Sequence, residues 1–386
     1  MEQRLAALLE RLAQARVDAA LLTHPRDVLY YAGTARPATL LAGPRQAVLY
    51  VRRGLEWARR EATVERVEPG GGWGGVVAAL GEQVPGGGRL GVTLDVLSAQ
   101  LYLRLGEAFP RWTLVDISEL VLAQRMVKDA DELEATRQAA AIADAGHAAL
   151  AEALRPGVSE LELATVVEAA LRQAGHEGYQ PLRHPHARGG GVFLMSGENL
   201  TVRGGHGLVV TGAGLSAASP YGASRRRVEA GDLVVLDIGA TSMGYTADES
   251  RTYVVGPATA AQRALFDAAL AVEAAVLGAL RPGTPVADVY AAAETALARG
   301  ASPFFAPGEL ALPGFVGHGI GLELDEPPVL WPRQDGPILA GMVLAVEIEV
   351  GAPAAGLMVK VEDSAVVGDD GARWLTAAPR YLIEVC

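Results

Sequence analysis

Two pairs of apolar, strand-like segments carry acidic residues on both of their segments, and this pattern constrains the fold more than any other feature. In the first pair, residues 233–240 and 245–255 flank a turn at 241–244. Asp237 and Asp248 are equally far from the middle of that turn. An unbulged hairpin therefore places them directly opposite each other, with Cβ atoms about 4.5–5.5 Å apart. Their repulsion in an apolar setting predicts a multivalent cation between them; the alternative is one aspartate in the turn and the other in solvent.

The second pair repeats the arrangement with glutamates. Residues 343–350 and 357–367 flank a glycine-bounded loop, and Glu347 and Glu362 lie nearly equally far from its centre. Glu349 lies on the same strand face as Glu347 and is the alternative if the register differs. Both segments are strongly apolar, and buried carboxylates need partners, so a second pair of facing carboxylates is expected.

A histidine flanked by glycines adds a nitrogen ligand to this set. His318 lies within GHGIG at 317–321, and the glycines allow backbone and a bulky ligand to approach closely. Four carboxylates and one imidazole suit two Mn²⁺- or Co²⁺-like ions better than one structural Zn²⁺. Two such ions about 3.5–4 Å apart activate water and stabilise a tetrahedral intermediate, which predicts hydrolysis of an amide or ester.

The remainder of the chain divides into two regions. Residues 1–122 combine a helical pattern at 4–16 with short strand-like runs between glycines, which predicts a small α/β domain. Residues 125–386 contain two copies of a helix, the letters LRPG and a second helix, which indicates an internal repeat. Helices on one side of mostly antiparallel strands are expected there. The predicted fold class is therefore α/β in the broad sense, with an α+β second domain.

Composition and missing motifs exclude several functional classes. The formal charge of −12 without a basic tract argues against nucleic acid and membrane as partners. Lys128 and Lys360 are the only lysines, which disfavours Schiff-base chemistry. The single cysteine, Cys386, allows no internal disulfide, and the first helical pattern lacks the apolar region of a signal peptide, so a cytoplasmic protein is expected. Phosphate-loop, HExxH, nucleophile-elbow and dinucleotide-binding motifs are absent.

The acidic hairpins and the histidine loop together resemble the motifs of the pita-bread metallopeptidases, peptidase family M24. The matching stretches are GDLVVLDIGATSMGYTADESRT, GHGIGLELDEPP, GMVLAVEIEV and VKVEDSAVV, in the family's order within residues 125–386. The resemblance implies a dinuclear site with Mn²⁺ or Co²⁺, Zn²⁺ and Fe²⁺ also fitting. It implies five metal ligands: Asp237, Asp248, His318, Glu347 and Glu362.

The beginning of the chain narrows the resemblance to one branch of the family. RLAALLERLAQARVDAALLTHPRDVLYYAGT is similar to the N-terminal domain shared by prolidase, aminopeptidase P and creatinase. Methionine aminopeptidases lack this domain. The resemblance therefore implies a creatinase-type domain at 1–122, a pita-bread catalytic domain at 125–386, and a homodimer or a higher oligomer.

Three positions depart from the prolidase pattern. Tyr221 stands in PYG where PHG is usual, and Asp325 stands in ELDEPP where DVHEPP is usual. The family's EPG becomes EIE at 347–349. A tyrosine can donate a hydrogen bond, whereas an ionised aspartate attracts a substrate ammonium group. His206, in the glycine-rich segment before the first hairpin, is an alternative substrate-binding histidine.

Three further residues are weaker candidates for substrate contacts. Arg225 begins a run of three arginines and could bind a substrate carboxylate, although a solvated charged run is the more common role. His184 and His186 lie in RHPHARGGG and are interpreted as loop residues.

The sequence thus predicts a metal-dependent exopeptidase acting on short peptides, with Xaa-Pro bonds as the first hypothesis. Glu347 is expected to carry the proton of the attacking water, since the family's EPG glutamate lies beside that water. Tyr221 and Asp325 complete the predicted catalytic set. The alternatives are a dipeptidase or carboxypeptidase of other specificity, and a non-catalytic binding protein of the same fold.

Overall fold

A computed structural model of the chain describes residues 2–178, 181–183, 191–205, 209–300 and 302–385. The chain forms two compact units, Met1–Arg125 and Met126–Cys386. No helix among the described residues is long and apolar enough to cross a membrane.

The first unit is a mixed six-stranded sheet with helices. Its strands are β1 (Ala19–Leu22), β2 (Ala38–Ala42), β3 (Ala47–Val51), β4 (Arg66–Pro69), β5 (Gly88–Val92) and β6 (Trp112–Asp116), in the order β4-β3-β2-β1-β5-β6. Its helices are α1 (Glu2–Gln14), α2 (Pro25–Ala32), α3 (Leu55–Glu61), α4 (Trp73–Gln83), α5 (Ala99–Ala108) and α6 (Ser118–Arg125). Every residue of β1 is buried, as expected for a central strand covered on both faces. The predicted N-terminal α/β domain is confirmed.

The second unit is built on one nine-stranded sheet. The strands are β7 (Val192–Ser196), β8 (Leu233–Ser242), β9 (Tyr245–Val255), β10 (Gly317–Gly319), β11 (Glu326–Val329), β12 (Val343–Ala352), β13 (Leu357–Gly368), β14 (Gly371–Trp374) and β15 (Ile383–Val385). The main path runs β11-β10-β12-β13-β9-β8-β7, with β14 paired to β13 and β15 paired to β9. The helices are α7 (Ala130–Ala153), α8 (Glu160–Gln173), α9 (Ala260–Ala279) and α10 (Val286–Arg299).

The helices occur as two pairs that pack against different hairpins, in agreement with the predicted repeat. Helices α7 and α8 bury their apolar residues against β7, β8 and β9, whereas α9 and α10 cover β12 and β13. The turn after α7 and the turn after α9 both contain Arg-Pro-Gly, with Gly157 at φ 86° and Gly283 at φ 90°. Glycine adopts this left-handed conformation without the steric cost of a Cβ atom.

The first hairpin of the second unit turns more tightly than the sequence predicted. Its loop is the two residues Met243 and Gly244, with φ values of 50° and 81°, and pairing continues to Ser242 and Tyr245. Two successive positive φ values define the type I′ turn, whose twist matches the strands it joins. The predicted loop contained four residues, because methionine is an unusual choice at a positive φ.

This tighter turn changes the expected register. Asp237 lies opposite Ser250, and Asp248 lies opposite Gly239. The prediction that the two aspartates face each other directly is therefore wrong by two residues. Because side chains alternate with a period of two, an offset of two leaves both aspartates on the same face of the sheet.

The second hairpin has the predicted register. Glu347 lies opposite Glu362, and Glu349 lies opposite Lys360. The four-residue connection contains a 3₁₀ turn at Pro353–Ala355 and ends at Gly356, which has φ 64°.

The turn between β8 and β9 generates a stability prediction. Met243 is exposed, so its side chain contributes little packing while its left-handed backbone costs energy. Replacing Met243→Asn should raise the free energy of unfolding of the second unit by about 0.5–1 kcal/mol, since asparagine tolerates this conformation. Thermal unfolding measures the change. The control Met243→Ile should lower stability, because a β-branched residue resists positive φ; an equal response of both variants would contradict the prediction.

Candidate metal centre

The acidic residues of both hairpins converge with one histidine into two groups of potential ligands. Ligand atoms of Asp248, His318 and Glu362 lie within 4.8 Å of one another, and so do those of Asp237, Glu347 and Glu362. We call these the histidine triad and the carboxylate triad. Glu362 belongs to both, so the structure brings together all five residues predicted as metal ligands.

Strand pairing explains why these side chains meet. Glu347 and Glu362 face each other across β12 and β13. The strand β13 also pairs with β9, where Glu362 lies opposite Ser250 and accepts a 2.7 Å hydrogen bond from the Ser250 hydroxyl at Oε2. On the other side of β12, His318 of β10 lies opposite Ala345. One sheet face therefore collects ligands from β8, β9, β10, β12 and β13.

The ligands are packed into a poorly hydrated environment. Burial, followed by the charges of Glu362 and Asp237, raises the pKa of Asp248 well above its usual value. Burial also raises the pKa of Glu362 to about 8. Within the described part of the chain, Asp248 Oδ1 and Glu362 Oε1 are buried without a hydrogen-bond partner. Buried anionic oxygens without donors fit divalent cations, so the residues present suit metal binding.

The imidazole of His318 is oriented toward the acidic ligands. Its Nε2 lies 3.9 Å from Asp248 Oδ2 and 4.0 Å from Glu347 Oε2. Its Nδ1 lies 3.0 Å from the Gly319 carbonyl oxygen and 3.5 Å from Oδ1 of the exposed Asp325. A proton on Nδ1 donates to Gly319 and leaves the Nε2 lone pair for a metal, as is common for histidine ligands.

The glycines around His318 are required by close contacts. Gly317 has φ 144°, and a Cβ atom there would lie 2.1 Å from the Ala345 carbonyl oxygen. A Cβ atom on Gly319 would lie 2.4 Å from the Pro327 carbonyl oxygen. Both distances are far below van der Waals contact, so the GHG sequence is needed to bring the His318 strand between its neighbours.

One cation at the site was missed by the sequence analysis. The Nζ atom of Lys360 lies 2.6 Å from Asp237 Oδ2, 2.6 Å from Glu347 Oε1 and 3.1 Å from Glu362 Oε2. Burial alone would lower the pKa of Lys360, but the charges of Asp237 and Glu347 raise it well above its usual value. The available signal was its position two residues before Glu362, which places both side chains on one face of β13.

A buried charged network lies on the opposite face of the same strands. Arg251 donates 2.8 Å hydrogen bonds to Glu249 Oε1 and Asp363 Oδ1, and all three side chains are fully buried. Arg380 adds a 2.7 Å contact to Asp363 Oδ1. Because Glu249 and Asp363 follow the ligands Asp248 and Glu362 directly, this network holds the ligand-bearing strands β9 and β13 together.

Three other residues that the sequence suggested for the site are not members of either triad. Glu349 accepts hydrogen bonds from the Val210 amide at 2.8 Å and from Arg203 at 3.2 Å and belongs to neither triad, so the alternative register is wrong. Tyr221 is half-buried and packs beside Gly204. Arg225 is exposed.

Three predicted histidines, His184, His186 and His206, lie outside the described residues. The possible substrate contacts of His206 therefore stay a prediction.

Comparison with known families agrees with this site. Residues 134–369 match the model of metallopeptidase family M24, and residues 4–127 match that of the creatinase/prolidase N-terminal domain. The chain belongs to metallopeptidase family M24 and is a metallopeptidase.

Known relatives extend over nearly the whole chain. An Xaa-Pro dipeptidase from Pyrococcus furiosus is 26% identical over 387 residues, covering 99% of this chain and 100% of the relative. The structure of an Xaa-Pro dipeptidase from Bacillus anthracis aligns with a TM-score of 0.84 at 25% identity, covering 99% of each chain. The structure of dipeptidase PepE from Mycobacterium ulcerans aligns with a TM-score of 0.78 at 28% identity, covering 99% of this chain and 97% of that one.

The buried network generates a prediction for the pH dependence of stability. Burial and the nearby Asp363 charge raise the pKa of Glu273, on α9, to about 8 from an ordinary 4.5. The folded protein thus retains a proton that the unfolded chain releases, and stability falls as pH rises through this range. In Glu273→Gln, the loss of unfolding free energy from about pH 5 to about pH 8 should be smaller than in the wild type by at least about 1 kcal/mol.

Urea unfolding at both pH values measures this difference. The matched control is Asp267→Asn, which changes an exposed carboxylate on the same helix and should keep the wild-type slope. A Glu273→Gln variant with the same pH slope as the wild type would contradict the assignment.

Proposed function

We propose that this metallopeptidase is an exopeptidase for short peptides that uses two divalent ions, Mn²⁺ or Co²⁺, and cleaves Xaa-Pro bonds. The observation that supports it most is the pair of triads sharing Glu362. A carboxylate common to two ligand groups is the arrangement expected for two closely spaced ions. The relatives that carry the name Xaa-Pro dipeptidase support the choice of substrate.

Bound at the two triads, divalent ions would lower the pKa of water and polarise the scissile carbonyl. In this proposal Glu347 accepts the proton of the attacking water and delivers it to the leaving amine. Its Oε1 faces Lys360 and its Oε2 faces His318, and the side chain is buried. Burial excludes bulk water, so the proton stays within the site during the transfer.

Substrate positioning is assigned to residues outside the triads. Asp325 is 60% exposed at its side chain and adjoins the His318 ring, so it can attract a substrate ammonium at the opening of the site. Arg225, an exposed cation, is the proposed partner of a substrate carboxylate, and Tyr221 and His206 are proposed hydrogen-bonding residues.

A dipeptidase without proline preference is the second candidate. The observation that favours it is Asp325, an acidic residue where the prolidase branch has a histidine that handles substrate. The similarity to dipeptidase PepE supports the same alternative. Both candidates use the same ligands and the same proton transfer, and they differ in what the site opening accepts.

A peptide panel tests the proposal. The metal-loaded protein is incubated with Xaa-Pro dipeptides, longer Xaa-Pro peptides and non-proline peptides with free or amidated C-termini, and the products are identified by mass spectrometry. Cleavage confined to Xaa-Pro bonds is expected. Cleavage of non-proline dipeptides would favour the second candidate, and no cleavage with any of Mn²⁺, Co²⁺, Zn²⁺ or Fe²⁺ would contradict both.

The role of Asp325 gives a kinetic prediction. In Asp325→Asn, KM should rise on the order of fivefold with kcat nearly unchanged, because an exposed charge contributes roughly 1 kcal/mol to ammonium binding. Steady-state kinetics on a cleaved dipeptide measure both constants. If Asp325 instead serves to orient His318, kcat and metal affinity will fall and KM will not change, which would contradict the assignment.

A further inference from the structure

Lys360 contacts every member of the carboxylate triad but only the shared member, Glu362, of the histidine triad. Its ammonium group contacts one oxygen from each member of the carboxylate triad, Asp237, Glu347 and Glu362. It forms no hydrogen bond or ion pair with the other two members of the histidine triad, Asp248 and His318, among the described residues. The cation is therefore confined to one half of the site.

The ammonium of Lys360 pairs with all three carboxylates, donating a hydrogen bond to Asp237 Oδ2 and forming ion pairs with Glu347 and Glu362. A lysine ammonium has three protons, and the three carboxylate oxygens lie 2.6, 2.6 and 3.1 Å from Nζ. The side chain of Lys360 is 2% exposed, so water does not compete for these contacts. The same three carboxylates that a divalent ion would use are thus already paired with a positive charge of the chain.

We propose that Lys360 is an internal competitor for one of the two metal ions. The first ion binds at the histidine triad, and the second binds only by displacing the Lys360 ammonium from the carboxylate triad. The inference rests on the two-ion site of the proposed function and adds an order of binding and its cause.

Electrostatics explains why the two cations exclude each other. An ion and an ammonium held by the same three carboxylates would lie within a few ångströms, where like charges in a buried site repel strongly. Displacement also breaks the charge-assisted hydrogen bond to Asp237 and the ion pairs with Glu347 and Glu362. By contrast, Asp248 and Glu362, two members of the histidine triad, each have one buried oxygen without a hydrogen-bond donor among the described residues. In this proposal an ion at that triad therefore binds without displacing a cation.

The neighbouring strand offers the displaced ammonium another partner. Glu349 lies directly opposite Lys360 on β12, and its carboxylate is buried. Glu349 already accepts hydrogen bonds from Val210 and Arg203 and can accept more, because a carboxylate has about four lone-pair positions.

Metal titration of the full-length, chelator-stripped protein tests the proposal with Mn²⁺ as the probe. Calorimetry and measurement of free Mn²⁺ should show one tight ion and a second at least about tenfold weaker in the wild type. In Lys360→Met, which keeps the length of the side chain, the second ion should tighten at least about tenfold and the first should change less than about threefold. Circular dichroism checks that the variant is folded.

A matched control separates competition from general charge removal. Arg380→Met also removes a cation that pairs with a buried carboxylate, Asp363 of β13, but on the face of the strand opposite the triads. Both ions should bind this variant as they bind the wild type. Equal affinity for two ions in the wild type, or equal tightening of both ions in Lys360→Met, would overturn the proposal.

A second measurement uses the wild-type chain alone and needs no variant. Because the chain contains only Lys128 and Lys360, selective isotope labelling of lysine gives two NMR signals. During titration with diamagnetic Zn²⁺, the Lys360 signal should shift with the second equivalent of metal. Lys128, which is paired with Glu326, serves as the internal control. A Lys360 signal that shifts fully with the first equivalent, or never shifts, would overturn the proposal.

These readouts are independent of peptide cleavage. If metal binding is stepwise and depends on Lys360 but the protein cleaves no peptide, the proposed function is contradicted and this inference stands. Efficient cleavage of peptides with only one bound ion would contradict the two-ion requirement on which both rest.

Discussion

The crowding of carboxylates on one face of an apolar sheet is the constraint on which the second unit depends. Four acidic side chains and one imidazole meet between strands whose other residues are mostly buried and apolar. Such a cluster is unstable unless positive charge enters it, because carboxylates that lie close together in a buried place repel one another when ionised. The local arrangement, from the GHG glycines to Lys360, can be understood as a response to this requirement.

The repeated helix pairs supply the rigidity that the site needs. Each pair covers one hairpin, so the acidic strands are backed by continuous apolar cores. The network around Arg251 links β9 to β13 where the two hairpins meet. Ligand positions are therefore set by regular elements, which hold side chains more accurately than loops do.

Much of this arrangement could be predicted from the sequence. Alternation along apolar strands placed the acidic residues on one face, and the loop between β12 and β13 gave the correct pairing of Glu347 with Glu362. The register of the first hairpin was mispredicted because Met243 occupies a position that favours asparagine or glycine. Even so, an error of two residues preserved the face, which is why the ligand set was unaffected.

The charges that support the ligands were harder to foresee. Lys360 is a single residue in an apolar strand, and its two-residue spacing from Glu362 indicates the face of β13 but not that its ammonium reaches three of the ligands. Arg251 depends on partners far along the chain, including the Ala378 carbonyl and Asp363. Contacts of that kind follow from tertiary packing, and local propensity contains no information about them.

The alternation of Glu362 and Asp363 on β13 has a consequence for how such a chain can diverge. One residue faces the ligand cluster and the next faces the Arg251 network, so both sides of the strand carry a charge with a specific partner. Inserting or deleting one residue in this strand would exchange the two faces, leaving unpaired charges in two buried places at once. We therefore expect β13 to tolerate no change in length, and insertions to be tolerated in the segments that connect the elements.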